Sequence, residues 1–459
     1  MKSLELQPTH ENIYETLIHG QIGRTDDVFR FVQFLNEIDG SFSIALDSRW
    51  GSGKTFFVKQ VKMVLDTYND LATESLSQEE KDAINRCAGN SCVFRGKETK
   101  ITPHVAVYYD AWANDNAEDP ILSIIYEILC SLNATYSIAD PPRIFNFAAS
   151  VFDAVKGWNP STIVEAFRSE NPLKVIEDQK TLQATINDFI NSAINERGNR
   201  LVVFIDELDR CKPDYAVRLL ERIKHYFTNE RVTFVFSINS LALQHTIRKY
   251  YGVEFDASRY TDRFFDIIME LPRINAEHFM ASLGIQHTST VFDYVRRQIV
   301  KTYHFEMREI IRYYKITSVA ALKPSQNRIF HHYGSFFGVT FAIPLAVALK
   351  MTDLPLYERF INGLDASPFI ELMESPEWER QHNILLFLDE SYEPDSGSNK
   401  TIVKLRDKLE EVYAALFVYD YDQIRARGVS IGQAWFDEDS RKDFFRFLSA
   451  ISADADYGV

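Results

Sequence analysis

Short apolar runs alternate along this chain with longer stretches whose apolar residues return every three or four positions. The runs are Phe42–Leu46, Val105–Tyr109, Leu201–Ile205, Thr233–Ile238 and Ile267–Leu271. They lack a regular polar alternation, as expected of strands covered on both faces of a parallel sheet. Between them the period is helical. In "PDYAVRLLERIKHYF", Ala216, Leu219, Leu220, Ile223 and Phe227 form one stripe. Ahead of the first run, Val28, Phe31, Val32 and Leu35 do the same behind Asp26 and Asp27. Strand–helix alternation of this kind predicts an α/β fold, with helices on both faces of a parallel five-stranded core sheet.

The pattern changes in two places. From Asp110 to Arg200 it stays helical, through "DPILSIIYEILCSL" and "QATINDFINSAINE", which predicts a helical insertion over about 113–198. Beyond about Arg273 only amphipathic helices follow, as in "VFDYVRRQIVKTYHF", "MREIIRYYK" and "RKDFFRFLSAIS". The expected division is therefore an α/β domain over 1–275 and an all-helical C-terminal domain over 276–459. No internal repeat is visible, and "SYEPDSGSNK", Ser391 to Lys400, reads as a polar loop. The most apolar stretch, Phe336 to Leu349, has 14 residues and a proline. That is too short to span a bilayer, so a buried core helix is expected.

Composition narrows the classes. A length of 459 residues predicts two or three domains. With 46% hydrophobic and 25% charged residues, the chain has the balance of a packed soluble globule. A formal net charge of −15 argues against broad, non-specific nucleic-acid binding. The start, "MKSLELQPTHENIYE", lacks the apolar centre of a signal peptide. The four cysteines are scattered, and Cys87 and Cys92 have neither a second pair nor histidines nearby. Reduced thiols in a cytoplasmic, membrane-free protein are expected, and zinc is not.

Chemistry concentrates in "FSIALDSRWGSGKTFFVKQV", Phe42 to Val61. A strand ending in Gly51-Ser52-Gly53-Lys54-Thr55 and passing straight into a helix builds an anion site. Glycines let successive N–H groups converge on a phosphate, and the helix adds its positive N-terminal end. Lys54 would reach the β- and γ-phosphates, and the Thr55 hydroxyl would hold Mg²⁺. Trp50, Gly51, Ser52, Gly53, Lys54, Thr55 and Phe56 thus form the candidate nucleotide-binding segment. The pattern G-x-x-x-x-G-K-[ST] begins here with Ser48 in place of glycine. A left-handed backbone there would cost about 1–2 kcal/mol.

A metal-bound phosphate chain needs a carboxylate on a second buried strand. "LVVFIDELDR" supplies Asp206 to coordinate Mg²⁺ through water and Glu207 to deprotonate the attacking water. The next run ends at Asn239, which is either a sensor of the γ-phosphate or the cap of the following helix.

Taken together these segments resemble the KAP family of P-loop NTPases. The similarity covers roughly residues 10–280. It includes "RWGSGKT", "VYYDAWANDNAEDPILSIIYEIL" with Asp110 and Trp112, "FIDELDRCKPDYAVRLLERIKHYF" with Asp209 and Arg210, and "RYTDRFFDIIMELPRI" with Arg263. The resemblance implies strand order 5-1-4-3-2 and ATP as nucleotide. It also implies an arginine near the γ-phosphate: Arg308 in "FEMREIIRYYK", which sits as a second sensor arginine does, or Arg210 or Arg263 from a neighbouring subunit. No transmembrane helix interrupts the segment between the phosphate loop and the acid strand, which points to the soluble branch, and soluble bacterial members often act in defence against phage.

The expected function is a Mg²⁺-dependent ATPase that couples nucleotide state to a conformational or assembly change, working with a separately encoded protein partner. The alternative is a nucleotide-controlled oligomerisation scaffold with slow or no turnover. A DNA-processing ATPase is disfavoured by the charge.

Overall fold

In the computed structural model, residues 6–72, 76–96, 100–132, 174–285, 291–326, 337–374, 399–418, 429–431, 434–436 and 445 are described. The chain divides into two compact units, one over Leu6–Phe279 and one from Met280 onward.

The first unit is built on five parallel strands: β1 (Phe42–Asp47), β2 (His104–Asp110), β3 (Arg200–Asp206), β4 (Val232–Ile238) and β5 (Ile267–Glu270). Their order is β2-β3-β4-β1-β5, the expected one. Each run predicted as a strand is found as one, with ends within a residue of those expected. The strands β3 and β4 are buried along their whole length, which is why their sequences are mostly apolar. The register sets the strand tips side by side: Asp110 pairs with Asp206, Asp206 with Ser237, and Asp47 with Ile238.

Helices α1 (His10–Ile18), α2 (Thr25–Glu37) and α3 (Lys54–Thr67) precede or follow β1, and α4 (Gln78–Asn90) leads towards β2. The predicted stripe of α2, Val28, Phe31, Val32 and Leu35, is buried. A second core joins the alternate residues Val105, Val107, Tyr109, Leu201, Val203 and Ile205 to α5 (Pro120–Ser131), α6 (Lys174–Arg197) and α7 (Pro213–Tyr226). Helices α8 (Ser240–Tyr251) and α9 (Ala257–Thr261) lead to β5, and α10 (Ala276–Ser282) follows it. The middle of the expected insertion, 133–173, lies outside the described residues.

In the second unit the described elements are helices, apart from one short antiparallel pair, Val429–Ile431 with Ala434–Phe436. That pair departs from the all-helical expectation. The apolar stretch read as a core helix is a π-helical turn, Gly338–Ala342, running into a helix over Ile343–Thr352, and both are buried. No described helix is long and apolar enough to cross a membrane. The loop read at Ser391 to Lys400 lies, up to residue 398, outside the described residues, as does nearly all of "RKDFFRFLSAIS".

Candidate nucleotide site

The site forms where β1, β2, β3 and β4 end together. After Asp47 the chain turns through Gly51 (φ 83°) and Gly53 (φ 88°), both left-handed. A side chain at either would cost about 1–2 kcal/mol. Gly53 caps α3 through its backbone alone, so the helix opens at Lys54 with amides that have no partner inside the helix. Among the described residues, a positive φ outside glycine occurs at Glu207 and His304. Ser48 therefore carries no left-handed strain, which explains why serine can replace the first glycine; its amide donates to Ile238 O at 3.1 Å.

Asp206 is the hub of the site and is buried. Its Oδ2 accepts from Thr55 Oγ1 at 2.7 Å and Tyr108 OH at 3.0 Å. Its Oδ1 accepts from Ser237 Oγ at 2.7 Å and the Glu207 amide at 3.0 Å. Four donors on two oxygens fix the carboxylate in one orientation. The loop is also joined to the turn after the acid strand, since Trp50 Nε1 donates to Asp209 Oδ2 at 2.5 Å.

Glu207 follows with φ 61°, a left-handed conformation that is uncommon outside glycine and collects at functional sites. Burial, and next the charge of Asp206, push its carboxyl up to about 7, while the nearby Arg210 opposes the rise. Arg210 Nε forms an ion pair with Glu207 Oε2, and its guanidinium lies 5.6 Å from the Trp112 ring. Burial also raises the buried Asp209, against the Trp50 bond. Lys54 is lowered by burial and supported by Asp209, Asp206 and Glu207. Its Nζ donates to Ser48 O at 2.8 Å and Arg49 O at 3.2 Å.

These groups suit a phosphate chain and a hard cation. The Ser52 hydroxyl is buried in the loop and has no hydrogen-bond partner, which leaves a donor for an anion. Thr55 and Asp206 present oxygen ligands of the kind Mg²⁺ takes.

The structure thus gathers Trp50, Lys54, Thr55, Asp206, Glu207, Asp209 and Arg210. Phe56 is buried in α3. Asn239 caps α8, its side chain accepting from the Ala242 amide at 3.2 Å. Of the three arginines singled out, Arg210 meets the acid pair. Arg263 is exposed ahead of β5, and Arg308 is exposed at the start of a helix (Met307–Gln326) in the second unit. Sequence reasoning missed Tyr108 and Ser237. Ser237 could have been found as a hydroxyl inside a mostly apolar strand, where a buried donor needs a partner. Tyr108 carried no comparable signal, because tyrosine is an ordinary strand residue.

A model of the KAP family P-loop domain matches residues 28–279. No curated protein matches the chain.

Proposed function

The chain belongs to the KAP family of P-loop domains, and on that premise we propose that it binds ATP with Mg²⁺ and hydrolyses it, using the nucleotide state to change its own conformation or assembly. The observation that carries this reading is the contact of Thr55 Oγ1 with Asp206 Oδ2 at 2.7 Å, joining the first turn of α3 to the tip of β3 across 151 residues. A hydroxyl and a carboxylate brought together beside a glycine turn form the half-site a phosphate-bound Mg²⁺ requires.

In this reading the segment Trp50 to Phe56 wraps the phosphates, with its backbone amides and the Ser52 hydroxyl as donors. Lys54 exchanges its two carbonyl partners for phosphate oxygens. Thr55 and Asp206 hold Mg²⁺, which when bound neutralises charge on those oxygens. Glu207, basic near neutral pH, takes the proton from the attacking water. For that, Arg210 must release Glu207 and become free to face developing negative charge. Asn239 orients α8 through its cap and stands one residue beyond β4 as a sensor. Arg308 is proposed as a γ-phosphate arginine by family resemblance alone. A cytoplasmic role in defence against phage, with a separately encoded partner, is the setting suggested by family resemblance.

One observation favours the second reading, a scaffold with slow turnover: the base is already engaged by Arg210. Phosphate release and assembly size, each measured with and without ATP, separate the two for wild type, Lys54→Ala and Glu207→Gln. The ATPase reading expects Mg²⁺-dependent release that both substitutions abolish. Equal inertness of wild type and Glu207→Gln, with assembly still responding to ATP, would replace it by the scaffold.

A further inference from the structure

Arg24 precedes the family match and stands at the start of α2, only 3% exposed. Its Nη1 donates to the carbonyl oxygen of Ser52 at 2.7 Å, across 28 residues of sequence. Burying a guanidinium is costly, so this placement calls for a reason. The peptide unit supplies one. Ser52 C=O and Gly53 N–H belong to the same planar trans group and point in opposite directions. Holding the carbonyl on the buried guanidinium therefore aims the Gly53 amide away from the interior. That amide lies at the left-handed turn just ahead of Lys54.

The residue beside Arg24 is fixed against a second element. Gly23 has φ 77°, and a Cβ there would lie 2.4 Å from Asn275 Cβ. Asn275 N donates to Ile22 O at 3.1 Å. Asn275 in turn opens α10: its Oδ1 accepts from His278 N at 3.1 Å and its carbonyl from Phe279 N at 2.9 Å. The first unit ends at Phe279, within α10.

We infer that Arg24 is a positioning residue for the phosphate loop, and that Arg24, Gly23 and Asn275 link the orientation of the Ser52–Gly53 peptide to the start of α10. The inference deepens the nucleotide reading above and rests on it. When phosphate arrives or leaves, the peptide turns and Ser52 O shifts against the guanidinium. Arg24 passes the shift to Gly23, where no side chain stands between backbone and Asn275 to absorb it.

The test uses the full chain as wild type, Arg24→Gln, Arg24→Lys and Gly23→Ala. Calorimetry measures ATP affinity with Mg²⁺, and hydrogen exchange follows residues 276–282 with and without a slowly hydrolysed ATP analogue. Wild type should slow exchange in α10 on binding. Arg24→Gln should lose about tenfold in affinity, the scale of one hydrogen bond to a charged group, together with the α10 response. Arg24→Lys, which keeps the charge on a single donor nitrogen, should recover part of the affinity. Gly23→Ala should bind ATP near wild-type affinity yet lose the response. Unchanged exchange in β3 and β4 marks each variant as folded. Wild-type affinity in Arg24→Gln, or an α10 response that survives both Arg24→Gln and Gly23→Ala, overturns the inference. Should Arg24→Gln unfold, wild-type responses in both Arg24→Lys and Gly23→Ala overturn it equally. A wild type that binds no ATP removes the nucleotide reading, and this inference with it.

Discussion

Glu207→Gln should make the metal-free, nucleotide-free protein more stable, and only above mildly acidic pH. The Glu207 carboxyl is raised from 4.5 to about 7 by burial and by Asp206. Its folded-state pKa lies above the unfolded one, so the folded protein binds the proton more tightly. Stability from this group is full below about 4.5, falls as pH rises through the window, and is lost above about 7. At 1.36 kcal/mol per unit, a rise of about 2.5 units amounts to roughly 3 kcal/mol. The side chain is 21% exposed, buried enough for most of that to be felt. Glutamine resembles the protonated form and keeps the left-handed backbone, so it isolates the charge. Thermal melts of the nucleotide-site transition in EDTA should show Glu207→Gln about 5–10 °C above wild type at pH 8. At pH 4.5 the two should coincide. An equal difference at both pH values, or none at pH 8, would refute the argument that burial holds this carboxyl near neutrality.

Other substitutions probe separate contacts. Lys54→Ala should leave the melting transition in place yet abolish ATP binding by calorimetry, since its ammonium is the cation reaching into the loop. Tyr108→Phe removes one of four donors to Asp206; a loss of about 1–2 kcal/mol in urea melts and a shifted Mg²⁺ dependence of ATP binding are expected. Asn239→Ala should cost about 1 kcal/mol through the lost cap of α8, and Asn239→Ser should restore it in the same melts. Gly53→Ala, at φ 88°, should lower stability by about 1–2 kcal/mol and weaken ATP binding.

Much of the nucleotide-site unit was legible because two periodicities separate cleanly in it. Strands buried on both faces must be apolar throughout, and the helices between them need only one stripe. Asp206 and Glu207 were legible because they stand at the end of such a run, and Lys54 and Thr55 because a glycine turn sets them at the start of the helix that follows one. What stayed hidden depends on distance in space. Tyr108 looks like any strand aromatic until the register sets β2 beside β3. Arg24 looks like a solvated charge until the turn at Gly23 brings it behind Ser52. The hairpin at Val429–Ile431 and Ala434–Phe436 was missed because triplets are too short to set a period.

On the proposed reading, the saturation of Asp206 would constrain how a metal ion enters. Both its oxygens already accept two hydrogen bonds, so a direct ligand bond would have to displace a donor. Ser237 and the Glu207 amide are the poorer candidates: one hydroxyl is fully buried on β4, and the other donor is backbone. Thr55 and Tyr108 share the remaining oxygen. Losing both would leave Tyr108, half-buried and raised in pKa by burial and by Asp206, with an unmatched hydroxyl at a cost of about 1–3 kcal/mol. A water donating to Oδ2 in the place that Thr55 vacates would avoid that cost, because Tyr108 would keep its bond to the same oxygen. On the proposed reading, the same crowding favours Glu207 over Asp206 as the base. Asp206 has no lone pair to spare, whereas Glu207 needs only to part from Arg210.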